Sequence, residues 1–155
     1  MKGKYILAVI VAGVALFLDQ ITKYYFEHNH GSRFIFWEPL LFLQFKANPN
    51  IAFGLPLQSF LFIAFAIIVL GLMSYLLFKS YQNKEFFQFF LILFIIAGAV
   101  GNIIDRIQYG YVVDFITVPF WSIFNLADIY IVVAVVIWMF YIFIYEPRKK
   151  ISKKS

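Results

Sequence analysis

Residues 98–128, GAVGNIIDRIQYGYVVDFITVPFWSIFNLAD, gather charged and asparagine side chains in a sequence that is otherwise mostly apolar. These side chains are Asn102, Asp105, Arg106, Asp114, Asn125 and Asp128. They lie near the ends of segments long enough to cross a membrane, where a carboxylate is costly unless it is paired or faces water. Because ionisable residues at membrane depth mark functional sites, this stretch predicts where the chemistry of the protein lies.

The composition predicts an integral membrane protein. Of the 155 residues, 63% are hydrophobic and only 14% are charged, against about 25% charged residues in soluble domains. We expect one domain over residues 1–155. The chain contains no cysteine, which excludes disulfides and thiolate nucleophiles. His28 and His30 have no third ligand at suitable spacing, so we expect no metal site and no cofactor.

Four apolar segments have about the length that crosses a bilayer. We expect an all-α bundle with spans at 4–26, 58–79, 86–105 and 126–146. An alternative for the first segment is a cleaved secretory signal, because a short basic start precedes an uncharged run. Its continuation through Asp19 and Lys23 into more aromatic residues, with three further spans behind it, favours a retained helix.

The basic residues predict the orientation of the bundle. They are Lys2, Lys4, Lys79, Lys84 and the C-terminal Arg148, Lys149, Lys150, Lys153 and Lys154. Four crossings put all of them on one side, and the positive-inside rule makes that side cytoplasmic, with both termini. This distribution indicates topology rather than nucleic-acid binding, although the net charge is +5. The aspartates and an aromatic loop with short strands, residues 27–57, then lie at the extracytoplasmic face.

Helical spacing places several of the polar residues on common faces. Gly98, Asn102, Asp105 and Arg106 share one helix face, and Gly98 and Gly101 allow a neighbouring helix to approach. Asn125 and Asp128 share a face where the fourth helix begins, with N-capping as an alternative role for Asn125. Asp114 lies in a β-type run. Asp19 and Lys23 are spaced i, i+4, either as an interfacial ion pair or as inward support for a site.

Two carboxylates in a partly dry site tend to share one proton, so that one activates water while the other polarises a carbonyl. Spacing alone does not choose which two of Asp105, Asp114 and Asp128 form such a pair, and Asp105 is also a candidate partner for Arg106. A transporter or channel is an alternative, as is a scaffold with structural ion pairs. Transport residues should lie near the midplane and recur in repeats, whereas these acids crowd one end and no internal repeat is visible.

Five ordered motifs cover the chain: Asp19-Gln-Ile-Thr-Lys23, Asn48-Pro-Asn-Ile-Ala-Phe-Gly54, Gly101-Asn-Ile-Ile-Asp-Arg106, Val112-Val-Asp-Phe115 and Phe124-Asn-Leu-Ala-Asp128. Their order and spacing resemble those of the bacterial prolipoprotein signal peptidases, the signal peptidase II family. The resemblance implies an intramembrane aspartic endopeptidase of the bacterial cell membrane. It would remove the signal peptide from diacylglyceryl-modified prolipoproteins, cutting before the lipidated cysteine.

The same resemblance assigns the site residues. It makes Asp114 and Asp128 the catalytic pair and gives Asp105 a structural role beside Arg106. Supporting polar positions are Asp19, Lys23, Asn48, Asn102, Arg106 and Asn125. It also implies inhibition by the cyclic depsipeptide globomycin and contact with membrane lipids, and we expect a monomer.

The chain departs from the family pattern at two places. Asn50-Ile51 stands where the family usually has Gly-Ala, which affects the backbone and the contacts to substrate near Asn48. The segment between Asp114 and Asp128 is shorter than usual, which predicts a reshaped lid over the groove. Neither departure removes a residue of the catalytic pair.

Overall fold

A computed structural model describes residues 2–37, 40–49, 59–118 and 123–145. In these ranges four long helices are found, α1 (Lys2–His28), α2 (Ser59–Gln82), α3 (Phe86–Tyr109) and α4 (Leu126–Phe140), and a π-helical turn, Tyr141–Tyr145, continues α4. All four, with α4 taken together with this turn, are long and apolar enough to cross a membrane. The predicted four-helix membrane fold is confirmed.

Helix α3 is the centre of the bundle, because α1, α2 and α4 each pack against it. A Cβ atom added at Gly98 would lie 2.6 Å from the carbonyl oxygen of Ala127 in α4, and one at Gly101 would lie 2.6 Å from Asp19 Oδ2 in α1. Any side chain at either position would therefore push a neighbouring helix or side chain away. The predicted close approach at these two glycines is confirmed.

Small residues face inward on α1, while most of its large apolar side chains face outward. Ala8, Ala12 and Ala15 are buried, which fits the small interfaces by which membrane helices pack closely. Phe17 is 63% exposed on the same helix, and Ile68 on α2 is 70% exposed. A soluble protein would bury such side chains, so this pattern fits a bundle that is surrounded by lipid.

A four-stranded antiparallel sheet, order β1-β2-β3-β4, accompanies the helices. Its strands are β1 (Arg33–Trp37), β2 (Leu41–Asn48), β3 (Val112–Thr117) and β4 (Ile123–Phe124). The predicted short strands are confirmed, as is the strand conformation around Asp114. The Phe26 ring of α1 stacks on Phe115 of β3 with ring centroids 4.8 Å apart, which holds the sheet against the bundle.

Gly110 determines how α3 leads into β3. It adopts a left-handed conformation, φ 81°, and its N–H donates to the carbonyl oxygen of Arg106. Glycine carries no Cβ penalty in this conformation, which ends the helix sharply. The chain therefore enters β3 at Val112, which brings Asp114 to the end of the bundle where α3 terminates.

Three features of the sequence lie outside the described residues. They are the Asn50-Ile51 departure, residues 119–122 of the expected lid segment, and the C-terminal basic residues from Arg148 onward.

Candidate active site

The N-terminus of α4 presents Asp128 through a capping box. The backbone N–H of Asp128 donates to Asn125 Oδ1 at 3.0 Å, and the backbone N–H of Asn125 donates to Asp128 Oδ2 at 3.4 Å. The N-capping role considered for Asn125 is therefore confirmed. The two side chains fix one another at the start of the helix, where the helix dipole favours a negative charge.

Asn125 also contacts Asp114. Its Nδ2 donates to Asp114 Oδ1 at 2.8 Å, and Asn48 Nδ2 donates to Asp114 Oδ2 at 2.8 Å. Asp114 is only 1% exposed. Burial raises the pKa of this carboxyl group to about 7; the hydrogen bond from Asn48 opposes that shift, and the charge of Asp128 adds to it. Asp114 can therefore hold or release a proton near neutral pH.

A second asparagine, Asn102 of α3, contacts Asp128. Its Nδ2 donates to Asp128 Oδ1 at 2.8 Å, while its Oδ1 accepts from Lys23 Nζ at 2.9 Å and from Asn125 Nδ2 at 3.2 Å. An ammonium group can only donate hydrogen bonds, so the amide oxygen of Asn102 must face Lys23. Its amide nitrogen is thereby directed at Asp128.

Asp19, Lys23 and Asp105 form a buried group that we call the lysine cluster. Lys23 Nζ lies 2.8 Å from Asp19 Oδ2 and 3.0 Å from Asp105 Oδ2. None of the three side chains is more than 1% exposed. Asp19 and Lys23 therefore point inward toward the site, and the alternative of an interfacial ion pair is wrong.

In the structure Asp105 pairs with Lys23. The sequence suggested Arg106 instead, because it is the next residue in the chain. Consecutive helix residues project in different directions, whereas α1 brings Lys23 directly to Asp105. Arg106 is largely buried, and its Nη1 donates to the carbonyl oxygen of Asn102 at 3.5 Å. The charges of Asp114, Asp128 and Asp105 all act on its guanidinium group.

Gln20 and Tyr111 make contacts that were not foreseen from the sequence. Gln20 Nε2 lies 3.2 Å from Asp19 Oδ2, from Asp105 Oδ1 and from the carbonyl oxygen of Gly101. Its position next to Asp19, within the motif Asp19-Gln-Ile-Thr-Lys23, was the available signal. The Tyr111 hydroxyl donates to Glu27 at 2.8 Å, and burial, with this hydrogen bond, raises the pKa of Tyr111 to about 12.

The three central aspartates therefore occupy two kinds of environment. Asp114 and Asp128 accept hydrogen bonds from asparagine amides and share Asn125 as a neighbour, whereas Asp105 is paired with a buried ammonium. Within the described ranges, no three His, Asp or Glu side chains converge as metal ligands do.

Comparison with known proteins identifies relatives over most of the chain. Residues 11–144 match the family model described as signal peptidase (SPase) II. A lipoprotein signal peptidase of Thermodesulfovibrio yellowstonii is 39% identical over 142 residues, covering 87% of this chain and 90% of that protein. One from Streptococcus thermophilus is 38% identical, with 84% and 88% covered.

Among solved structures, a bacterial membrane enzyme determined by the in meso method superimposes with a TM-score of 0.78 at 27% identity. The match covers 96% of this chain and 92% of that one.

Proposed function

Because the chain belongs to the signal peptidase II family, we propose that it is an aspartic endopeptidase that cleaves diacylglyceryl-modified prolipoproteins before the lipidated cysteine. It is a multi-pass bacterial membrane protein. The proposal assigns catalysis to Asp114 and Asp128. Asn48, Asn102, Arg106 and Asn125 act as supporting residues around the pair.

One observation carries the proposal: Asn125 contacts both Asp114 and Asp128, while the third aspartate of this region is paired with Lys23. Two carboxyl groups that share a neighbour can hold a single proton between them. The sequence left open which two of the three aspartates form the pair. Because Asp105 forms an ion pair with Lys23, the choice of Asp114 and Asp128 as the catalytic pair is favoured.

The different surroundings of the two aspartates support different roles. Asp114 is buried and its pKa is raised to about 7, so it enters the reaction protonated and donates a hydrogen bond to the scissile carbonyl oxygen. Asp128 is partly exposed and accepts hydrogen bonds at the N-terminus of α4. It enters the reaction as the carboxylate that removes a proton from water.

The balanced reaction is a hydrolysis in two steps. The water oxygen bonds to the carbonyl carbon as Asp128 takes one of its protons and Asp114 transfers its proton to the carbonyl oxygen. The tetrahedral intermediate then collapses, and the C–N bond to the lipidated cysteine breaks. Asp128 gives its proton to the leaving nitrogen, and Asp114 recovers its own from the hydroxyl group of the intermediate. The pair ends with the one proton with which it began.

The site lies at the end of the bundle where α3 ends and α4 begins, opposite the end that carries Lys79 and Lys84. With both termini in the cytoplasm, this end faces the extracytoplasmic side. There the lipid chains of a modified cysteine can remain in the outer leaflet while the peptide bond reaches the aspartates. Globomycin is expected to occupy the same groove, and a monomer contains every residue that the proposal uses.

A gel-shift cleavage assay on a purified lipidated prolipoprotein tests the proposal. The wild-type protein should release the signal peptide, and cleavage should persist in EDTA and in thiol-blocking reagents, because the mechanism uses neither a metal ion nor a cysteine. A substrate whose cysteine is unmodified is the matched control and should remain intact. EDTA inhibition that zinc reverses, or equal cleavage of both substrates, would contradict the proposal.

A further inference from the structure

The lysine cluster contacts the backbone beside each proposed catalytic aspartate. Asp19 Oδ1 accepts from the backbone N–H of Ala127 at 2.9 Å, and Asp105 Oδ2 accepts from the backbone N–H of Val113 at 3.0 Å. Ala127 immediately precedes Asp128, and Val113 immediately precedes Asp114. Each carboxylate of the cluster therefore holds the peptide group next to one member of the pair.

Lys23 joins these two contacts. Its ammonium group has three N–H donors, and the structure supplies three acceptors: Asp19 Oδ2 at 2.8 Å, Asp105 Oδ2 at 3.0 Å and Asn102 Oδ1 at 2.9 Å. With all three directions used, the ammonium is fixed in place. It connects α1 to the residues that hold β3, α4 and the Asn102 amide.

We infer that Asp19, Lys23 and Asp105 are positioning residues that set the separation and orientation of Asp114 and Asp128. The inference rests on the proposed function and extends it to residues that do not touch the reacting atoms. Lys23 acts on Asp128 through the Asn102 amide and through Asp19 and the Ala127 N–H. It acts on Asp114 through Asp105 and the Val113 N–H.

The burial of the cluster supports this role over general stabilisation. Taking charges out of water offsets most of what a buried ion pair gains by attraction, so such groups are weak evidence for a stabilising role. Here two carboxylates share one ammonium, and each of them also accepts from a backbone N–H. The two carboxylates hold different elements: Asp19 binds α4 through the Ala127 N–H, and Asp105 binds β3 through the Val113 N–H.

Matched substitutions at Asp105 separate the backbone contact from the charge. Asp105→Asn and Asp105→Leu remove the same charge and leave the balanced pair of Lys23 with Asp19, but only asparagine keeps an oxygen for the Val113 N–H. We expect Asp105→Leu to lower kcat on the order of 100-fold, as misplacement of reacting groups by about an ångström does, with KM little changed. Asp105→Asn should lose less than about 10-fold.

Each rate is measured on folded protein, below its melting temperature in detergent, and over a range of pH. Displacing Asp114 relative to Asp128 changes how they share a proton, so Asp105→Leu should also shift the pH profile of kcat. A role confined to global stability moves neither the profile nor kcat of the folded fraction. Asp105→Asn and Asp105→Leu with equal kcat and equal profiles would overturn the role of the Val113 contact.

A triple variant, Lys23→Met with Asp19→Asn and Asp105→Asn, tests the connection through Lys23. It contains no buried charge in the cluster, and neutral replacement of buried charged groups commonly preserves folding. Both asparagines keep acceptors for Ala127 and Val113, but the Lys23 ammonium no longer joins them. We expect a loss of kcat on the order of 100-fold. A kcat and a pH profile like those of the wild type in this variant would overturn the inference. If Asp105→Leu does not fold, this variant provides the test instead.

Amide hydrogen exchange separates failure of the inference from failure of the proposed function, because it needs no substrate. Asp105→Leu should speed exchange at Val113 and leave Ala127 unchanged, while Asp19→Leu should do the reverse. Gln108→Leu on the exposed face of α3 is the control and should change neither. If the wild type cleaves no lipidated prolipoprotein yet this exchange pattern holds, the proposed function fails and the positioning contacts stand. Unchanged exchange in both variants would overturn those contacts.

Discussion

Asn102 Nδ2 lies 2.8 Å from Asp128 Oδ1, and its orientation is fixed because its amide oxygen accepts from a lysine ammonium. This donor holds the direction of the Asp128 carboxyl group. Asn102 thus lies between the lysine cluster and the two proposed catalytic aspartates. Substituting it is as informative as substituting the aspartates themselves.

Replacing Asn102 with Leu should lower kcat/KM about 10- to 100-fold, because a hydrogen bond to a charged group contributes about 1.5–3 kcal/mol. Leucine has a similar volume but offers no donor to Asp128 and no acceptor to Lys23. Cleavage rates of the purified variant provide the measurement. Gln108→Leu, an exposed substitution of the same kind on the same helix, should cleave like the wild type. Equal rates for both variants would show that the Asn102 amide is dispensable.

Gly98→Ala should destabilise the bundle by about 1–3 kcal/mol, the usual cost of overpacking a tight contact. The new Cβ would lie 2.6 Å from the Ala127 carbonyl oxygen and 2.7 Å from Ile131 Cγ1, so α3 and α4 must separate. Gly71→Ala on α2 is the matched control, since nothing lies within 4 Å of its added Cβ. Detergent melting curves of the two variants should differ, with Gly71→Ala at or above the wild type. Similar melting would mean that α4 moves away at little cost.

Length and apolarity were sufficient to predict the four helices, because a span of about 20 apolar residues has few alternatives in a bilayer. Period-2 sequence and helix-breaking residues likewise predicted the short strands, and the position of Asn125 at the start of the fourth helix offered capping as one of its two possible roles. The partner of Asp105 was not predictable, because it depends on how α1 is rotated against α3. That rotation follows from the side chains at the contact, here Gly101 against Asp19, rather than from any local pattern.

A reporter fused after Ser155, or inserted at Asn83 in the turn between α2 and α3, should be cytoplasmic. The Lys4 ammonium lies 4.7 Å from the Phe86 ring centroid, so the first residues of α1 and α3 share the end of the bundle that carries Lys79 and Lys84. The positive-inside rule makes this end cytoplasmic. A reporter inserted at Gly31 is the matched control and should be extracytoplasmic. Extracytoplasmic activity from the Asn83 fusion would overturn this topology.

Cleavage should decline as the pH rises through about 7, because Asp114 then loses the proton that the mechanism requires. Burial of this carboxyl group raises its pKa to about 7 from an ordinary value of 3.8. Values of kcat/KM, determined from initial rates across the neutral pH range, measure the effect. Returning the protein to low pH should restore its activity. A rate that increases steadily through neutral pH would mean that the pair works without this proton.

The raised pKa of Asp114 also makes the stability of the fold depend on pH. The native state binds the proton of Asp114 more tightly than the unfolded chain does, so this contribution is present at acidic pH and is lost as the pH rises through about 7. The wild type should therefore melt at a lower temperature above neutral pH than below it. Asp114→Asn carries no titrating group at this site and should show a weaker pH dependence. Parallel melting profiles for the two proteins would contradict the raised pKa.

Substituting asparagine for each of the three aspartates should separate catalysis from positioning. Asp114→Asn and Asp128→Asn are nearly isosteric but cannot exchange the shared proton, so kcat should fall by at least about 1,000-fold, within the range that acid–base groups contribute. The double variant should be scarcely slower than either single one, because groups that act as a unit are strongly non-additive. Asp105→Asn, which keeps an acceptor for the Val113 N–H, should lose less than about 10-fold in kcat. Cleavage rates and melting temperatures of the four variants measure this. If Asp105→Asn is folded but inactive while Asp114→Asn is active, then Asp105 and not Asp114 is the catalytic partner of Asp128.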